Sequence, residues 1–211
     1  MSGAMIGKTV IAFLIAYALG DINPAILLGK MKGIDIRKEG SGNAGMTNTI
    51  RVMGLGYGIA VLVIDVLKAF IAVKAGFAIA GTYGAMAGFA GVVLGHCFPA
   101  AFGFKGGKGV AASLGAALAL NWQSALLVVA VALVMLLLTR RMSVGSLSAA
   151  AAYPFLIWKF APEYLAFSII AALFLIVMHS ANIGRLIRGE EEPLSIGHKG
   201  RDKDKEKEEN E

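Results

Sequence analysis

Of 211 residues, 57% are hydrophobic and 16% charged, with a mean hydropathy of +0.70. An apolar share above the roughly 45–50% of soluble domains, gathered in long uncharged runs, excludes a soluble fold with a large core and indicates a polytopic membrane protein. The formal charge of +6 does not indicate a nucleic-acid binder, because most basic residues sit in short loops beside apolar runs, where they report orientation.

The chain starts with Lys8 and then Thr9 to Leu19, which resembles a signal peptide with Ala16-Tyr17-Ala18 as its cleavage site. The apolar stretch continues to Leu28, however, and is long enough to span. This first span, about Met5 to Gly29, is predicted to kink or open at Asp21, Asn23 and Pro24, with Asp21 turned toward a site.

A polar island follows, Asp35 to Arg51. Gly40, Gly42 and Gly45 let backbone N–H groups approach an anion, Arg37, Lys38 and Arg51 supply charge, and Ser41, Asn43, Thr47 and Asn48 add short hydrogen-bonding side chains. The pattern predicts a phosphate cradle. Gly40 to Gly45 also spells a dinucleotide fingerprint, but no strand precedes it and no βαβ unit follows. A plain topology-setting loop explains the charges and leaves the glycines and serine unexplained.

The second span, about Leu55 to Ala75, places Asp65 and Lys68 on one helical face, where an internal structural ion pair is expected. The third, about Phe77 to Phe98, carries Gly84, Gly88, Gly91 and Gly95, a small-residue stripe for close helix packing. Cys97 is the only cysteine, so no intrachain disulfide exists, and it reads as a small buried hydrophobe.

The second island contains His96, Pro99 and Lys105-Gly106-Gly107-Lys108-Gly109. It is not a Walker A loop, since Gly109 stands where Ser or Thr is needed, but its glycines and lysines precede a helix start and suit an anion. Spans four and five, about Val110 to Leu120 and Ser124 to Leu138, are joined through Trp122, an interfacial anchor. Arg140 and Arg141 then precede Ser143 and Ser146. Span six runs from about Val144 to Trp158 and span seven from about Tyr164 to Met178. The third island holds His179 and Asn182, three apart and so on one side of a helix. Residues 191–211 form a charged tail, uniformly polar and predicted disordered from Arg201 onward.

The expected fold is therefore all-α, with about seven transmembrane helices in one domain over residues 1–190. All Lys and Arg except Lys8, Lys68, Lys74 and Lys159 fall in the loops after spans one, three and five or in the tail. The positive-inside rule places those loops and the C-terminus in the cytoplasm and the N-terminus outside. The three islands then share one side.

Three motifs in order carry a family resemblance: Gly40-Ser41-Gly42-Asn43-x-Gly45-x-Thr47-Asn48 with Arg51; Gly95-His96-x-Phe98-Pro99 with Phe104 to Val110; and His179-x-x-Asn182-Ile183-x-Arg185-Leu186 with Gly189-Glu190. Together they resemble the acyl-phosphate:glycerol-3-phosphate acyltransferases, the PlsY family, over nearly the whole chain to Glu190. The resemblance implies a bacterial inner-membrane enzyme that moves an acyl group from acyl phosphate to the 1-hydroxyl of glycerol 3-phosphate, giving lysophosphatidic acid and phosphate at the first acylation step of phospholipid synthesis. It implies catalytic roles for Ser41, Arg51, His179 and Asn182. Asn43, Thr47, Asn48, Lys105, Gly106, Gly107, Lys108, Gly109 and Ser143 would bind substrate, and Asp65, Lys68 and Glu190 would be structural. Gly20-Asp21-Ile22-Asn23-Pro24 and Ser180 depart from the family pattern.

The chemistry agrees: both substrates are phosphates, and an acyl phosphate is already activated, so no metal or cofactor is required. The expected partners are the two substrates and membrane lipid, with no nucleic acid and no obligate protein. His179 is one candidate general base, the donor's own phosphate another, and an acylated Ser41 a third route. Outside this class, intramembrane Asp21, Asp65 and Lys68 with a broken first helix fit a carrier for a phosphorylated solute, although no inverted repeat is present. A structural scaffold explains the glycine stripe but not the islands.

Overall fold

The computed structural model describes residues 2–194, and all regular structure within them is helical. The predicted tail segment Arg201–Glu211 lies outside the described residues. α1 (Gly3–Asp21) and α2 (Pro24–Met31) are separated at Ile22 and Asn23. Pro24 opens α2 because its missing N–H is not needed there, and Asn23 Oδ1 accepts from the Ile26 N–H at 3.1 Å. The break is where the sequence predicts it. Asp21, however, does not face the site: both its carboxylate oxygens accept from the Ala101 N–H at 3.2 Å, closing a 3-10 turn over Ala100–Phe102.

α3 (Met46–Met53) leads through Gly54, at φ 95°, into α4 (Leu55–Cys97). α4 is two limbs. Ala80 (φ −143°, ψ 26°) and Gly81 (φ 57°, ψ −142°) leave helical geometry, and the chain reverses there. A straight helix would separate residues 72 and 88 by about 24 Å, yet a Cβ on Gly88 would lie 2.8 Å from Ala72 O. The glycine stripe thus serves two interfaces. Gly84 and Gly88 meet the first limb at Gly76 and Ala72, while Gly91 and Gly95 admit α1 at Phe13 and Tyr17.

α5 (Val110–Leu120) packs on the first limb, with Gly115 against the Val66 backbone. α6 (Trp122–Thr139) begins at an Asn121 cap and pairs with α7 (Met142–Phe160), where a Cβ on Gly145 would lie 2.7 Å from Ala132 O. α8 (Leu165–Met178) and α9 (Ser180–Ile187) meet at His179 with a 59° bend. The core is built mainly from small residues such as Ala16, Ala72, Ala85, Ala112 and Ala116, while Leu137, Phe155 and Ile170 point outward. Small inside and large apolar outside is the pattern of a protein whose surrounding solvent is lipid.

By length and composition, three stretches suit a membrane crossing: Gly3–Met31, Leu55–Phe102 and Trp122–Thr139. A fourth is counted if α8 and α9 form one bent span. The middle stretch contains the two antiparallel limbs of α4.

Candidate active site

The first island is shaped by Asn48, fully buried on α3. Its Oδ1 accepts from the Ser41 N–H at 2.8 Å, and its Nδ2 donates to Ile36 O at 2.9 Å and Glu39 O at 3.0 Å. Gly40, at φ 56°, has to be glycine because a Cβ there would strike that same amide. Asn23 Nδ2 reaches Ala44 O at 3.3 Å and ties the loop to the break in the first helix. With its amide committed to the loop, Asn48 is a scaffold rather than a ligand group.

The three islands converge on a cavity of about 1120 Å³. Ser41, Asn43, Thr47, Asn48 and Arg51 line it from the first, Lys108 and Gly109 from the second, and His179 and Asn182 from the third, with Ser143 contributed by α7. Asp65 and Glu190 also border it. Beyond this polar mouth the walls turn apolar, through Phe89, Leu114, Ala117, Val128, Tyr153 and Leu175.

Five charged or polar side chains, Arg51, Lys108, Asn182, Arg185 and Glu191, set the chemistry of the mouth. Arg51 Nε is buried without a hydrogen-bond partner among the described residues, and Nη2 reaches Glu192 Oε2 only at 3.7 Å. An under-satisfied guanidinium is suited to a bidentate oxyanion. Lys108 Nζ donates to Asn182 Oδ1. Burial, helped by the Arg185 and Arg51 charges, brings the Lys108 ammonium down to about 8. Asn182 Nδ2 donates to Glu191 Oε1 at 2.6 Å, and Arg185 Nε to Glu191 Oε2 at 2.7 Å. Burial raises the Glu191 carboxyl, but hydrogen bonds from its neighbours outweigh this and hold it below the usual carboxylate range.

His179 is 4% exposed, and its Nδ1 lies 2.8 Å from Leu175 O. A carbonyl only accepts, so Nδ1 carries the hydrogen and Nε2 is the lone-pair nitrogen of the neutral ring.

Not every predicted site residue reaches the cavity. Lys105 is exposed and does not line it. Gly106 and Gly107 stand outside it, their N–H groups donated to Cys97 O and His96 O at 3.1 Å, so they fold the loop instead of facing a ligand. Glu190 pairs with Arg188 at 2.7 Å on the surface, both more than half exposed. The buried carboxylate is its neighbour Glu191, 8% exposed, and the segment Glu191–Leu194 belongs with the site rather than with a tail beginning at 191. Leu194 N–H donates to Arg140 O at 2.7 Å, which straps that segment across the mouth. Sequence reasoning also left His96 without a role of its own. A run of three glutamates gives no signal for which one turns inward.

Cations at the mouth of an apolar groove in a helical, lipid-facing protein suit a ligand that is anionic at one end and apolar at the other. A family model described as Glycerol-3-phosphate acyltransferase matches residues 10–189. The glycerol-3-phosphate acyltransferase of Shouchella clausii is 38% identical over 204 residues, covering 92% of this chain and all of that one. Its counterpart in Erythrobacter litoralis is 43% identical over 183 residues, covering 86% and 92%. Among solved structures, PlsY, an integral membrane glycerol 3-phosphate acyltransferase, superposes in its glycerol 3-phosphate form with a TM-score of 0.85 at 34% identity, over 90% of this chain and 96% of that one. Its lysophosphatidic acid form gives a TM-score of 0.83. The chain belongs to the PlsY family of glycerol-3-phosphate acyltransferases.

Proposed function

We propose that this protein transfers a fatty acyl group from acyl phosphate to the 1-hydroxyl of sn-glycerol 3-phosphate, releasing phosphate and 1-acyl-glycerol 3-phosphate for phospholipid synthesis. One observation carries the reading: a single cavity joins Arg51, whose Nε has no partner among the described residues, and Lys108 to an apolar groove. A volume of about 1120 Å³ exceeds the usual range of about 300–1,000 Å³ for small-ligand pockets and suits a headgroup plus a lipid chain.

The chemistry follows from the groups present. The 1-hydroxyl oxygen attacks the acyl carbonyl carbon, the bond from that carbon to the phosphate oxygen breaks, and inorganic phosphate leaves. Arg51 and Lys108 hold the phosphate charges, and Asn182, oriented by Glu191, keeps Lys108 in place. The hydroxyl proton passes to His179 Nε2, the reading favoured by the committed Nδ1–H. Ser41 and Ser143 stand at the same mouth to hydrogen-bond substrate oxygens.

The two limbs of α4 with α1, α5, α6, α7 and α8 provide seven crossings. With seven crossings, the distribution of Lys and Arg supports an N-terminus outside and a site and C-terminus on the cytoplasmic side of a bacterial inner membrane.

The test is phosphate release by the purified protein in lipid, given palmitoyl phosphate with and without glycerol 3-phosphate, beside an Arg51→Ala control. Release that requires glycerol 3-phosphate and vanishes in the control is expected. Binding or passage of labelled glycerol 3-phosphate without release would hand the site to a carrier. Near-normal turnover in His179→Gln would move the base to the donor's phosphate.

A further inference from the structure

We propose that His96 is a positioning residue that anchors the Lys108 loop to the broken end of the first helix through the intramembrane pair Asp65–Lys68. The inference rests on the proposed phosphate-binding role of Lys108 and extends it to a buried group that the reaction itself does not use.

Within the cluster the ammonium is fully met. Lys68 Nζ has three N–H bonds and three oxygens to meet them: Gly20 O at 3.1 Å, Ile22 O at 2.6 Å and Asp65 Oδ1 at 2.8 Å. The two carbonyls come from the end of α1, where the break leaves them without helical donors, and a lysine is the residue type that stabilises such a terminus. His96 Nδ1 lies 3.1 Å from the same Asp65 oxygen. Because a carboxylate only accepts, and because Lys68 has no hydrogen to spare for the ring 3.3 Å away, Nδ1 is protonated and donates to Asp65. Asp65, Lys68 and His96 are 1%, 7% and 2% exposed, so this orientation is fixed in a medium where an unmet bond is expensive.

The other side of His96 holds Gly107. Its carbonyl accepts the Gly107 N–H at 3.1 Å, and a Cβ on Gly107 would collide with ring atom Nε2 and come 2.8 Å from Ala44 O. Gly107 therefore sits in a slot between the His96 ring and the first island, and the next residue is Lys108. Turning the ring moves one wall of that slot, and Lys108 moves with it. The consequence is specific: the loop presents an ammonium to the cavity, so its displacement should weaken capture of the phosphorylated acceptor more than it slows the chemical step.

The experiment compares wild-type protein in lipid with His96→Gln and His96→Asn. Both variants are polar, but only the asparagine amide can donate from near the Nδ1 position, while only glutamine reaches as far as Nε2. In His96→Gln the KM for glycerol 3-phosphate should rise about tenfold, with kcat within about threefold and the KM for palmitoyl phosphate within about twofold. His96→Asn should recover most of this. In parallel, acetylation of Lys108 by acetic anhydride, read by mass spectrometry without any substrate, should change at least about threefold in His96→Gln. Unchanged acetylation at Lys108 overturns the proposal, as does a fall in kcat with both KM values intact, the mark of a merely structural histidine. If the wild type shows no release dependent on glycerol 3-phosphate, the acyltransfer reading fails, and the acetylation rates alone decide the role of His96.

Discussion

Two charged clusters in this protein are built from similar groups and do opposite things. In the set Asp65, Lys68 and His96, each hydrogen of the ammonium has an oxygen and Asp65 Oδ1 receives both Lys68 and His96. The cluster of Arg51, Lys108, Asn182 and Glu191 is open, since the buried Arg51 Nε meets no partner among the described residues. Charge in a membrane helix is often read as function. Here satisfaction is the better discriminator: a closed cluster fixes geometry, and an open one awaits an anion.

The sharpest way to break the comparison is Arg51→Ala. Removing the open guanidinium should lower acyl transfer about 10²–10³-fold while leaving thermal unfolding in detergent close to wild type. If melting falls instead and activity survives, the two clusters have been assigned the wrong way round. The closed cluster should show the reverse. Lys68→Met strands a buried carboxylate and should destabilise by about 3–5 kcal/mol, whereas the double variant Asp65→Leu with Lys68→Met should recover much of that loss, both read by melting in detergent.

Smaller effects separate neighbours within the open cluster. Glu191→Ala should lower kcat/KM about 10–100-fold by releasing Asn182, whereas Glu190→Ala, which frees only an exposed arginine, should stay within about twofold in the same assay. The reverse ranking would restore Glu190 as the structural carboxylate. The pH profile tests Lys108. With its ammonium held at about 8, the cation is present below that pH and lost above it. On the alkaline side kcat/KM for glycerol 3-phosphate should therefore fall, approaching about tenfold per pH unit. Lys108→Arg, which stays charged throughout, should flatten that limb.

Much of the architecture was legible because helices in a membrane advertise themselves as apolar runs. Pro24 marked the first break, and three basic, glycine-rich islands on the same side of the predicted topology marked the site. The turn of the helical hairpin was harder. The sequence reading separated the spans near Gly76, but that glycine is a packing contact against Gly84, and the reversal falls at Ala80 and Gly81. Both jobs call for glycine, so composition alone does not distinguish them. Hydrogen-bond partners were harder still. Asp65 and Lys68 were visible as a pair at helical spacing, but His96 joins them from 31 residues away, and only tertiary structure brings it there. The same holds for the second-island glycines: their N–H groups suited an anion by type and are spent inside the loop.

The strap from Glu191 to Leu194 has a consequence for truncation. The carboxylate that orients Asn182 follows the last helix of the described residues in the chain. A chain truncated after Glu190 would keep Arg51, Lys108 and His179 but leave Asn182 Nδ2 unheld. The last few described residues thus hold groups that come from earlier in the chain. Purified chains ending on either side of residue 191, assayed in lipid, would show how far a site spread over the bundle depends on its final few residues.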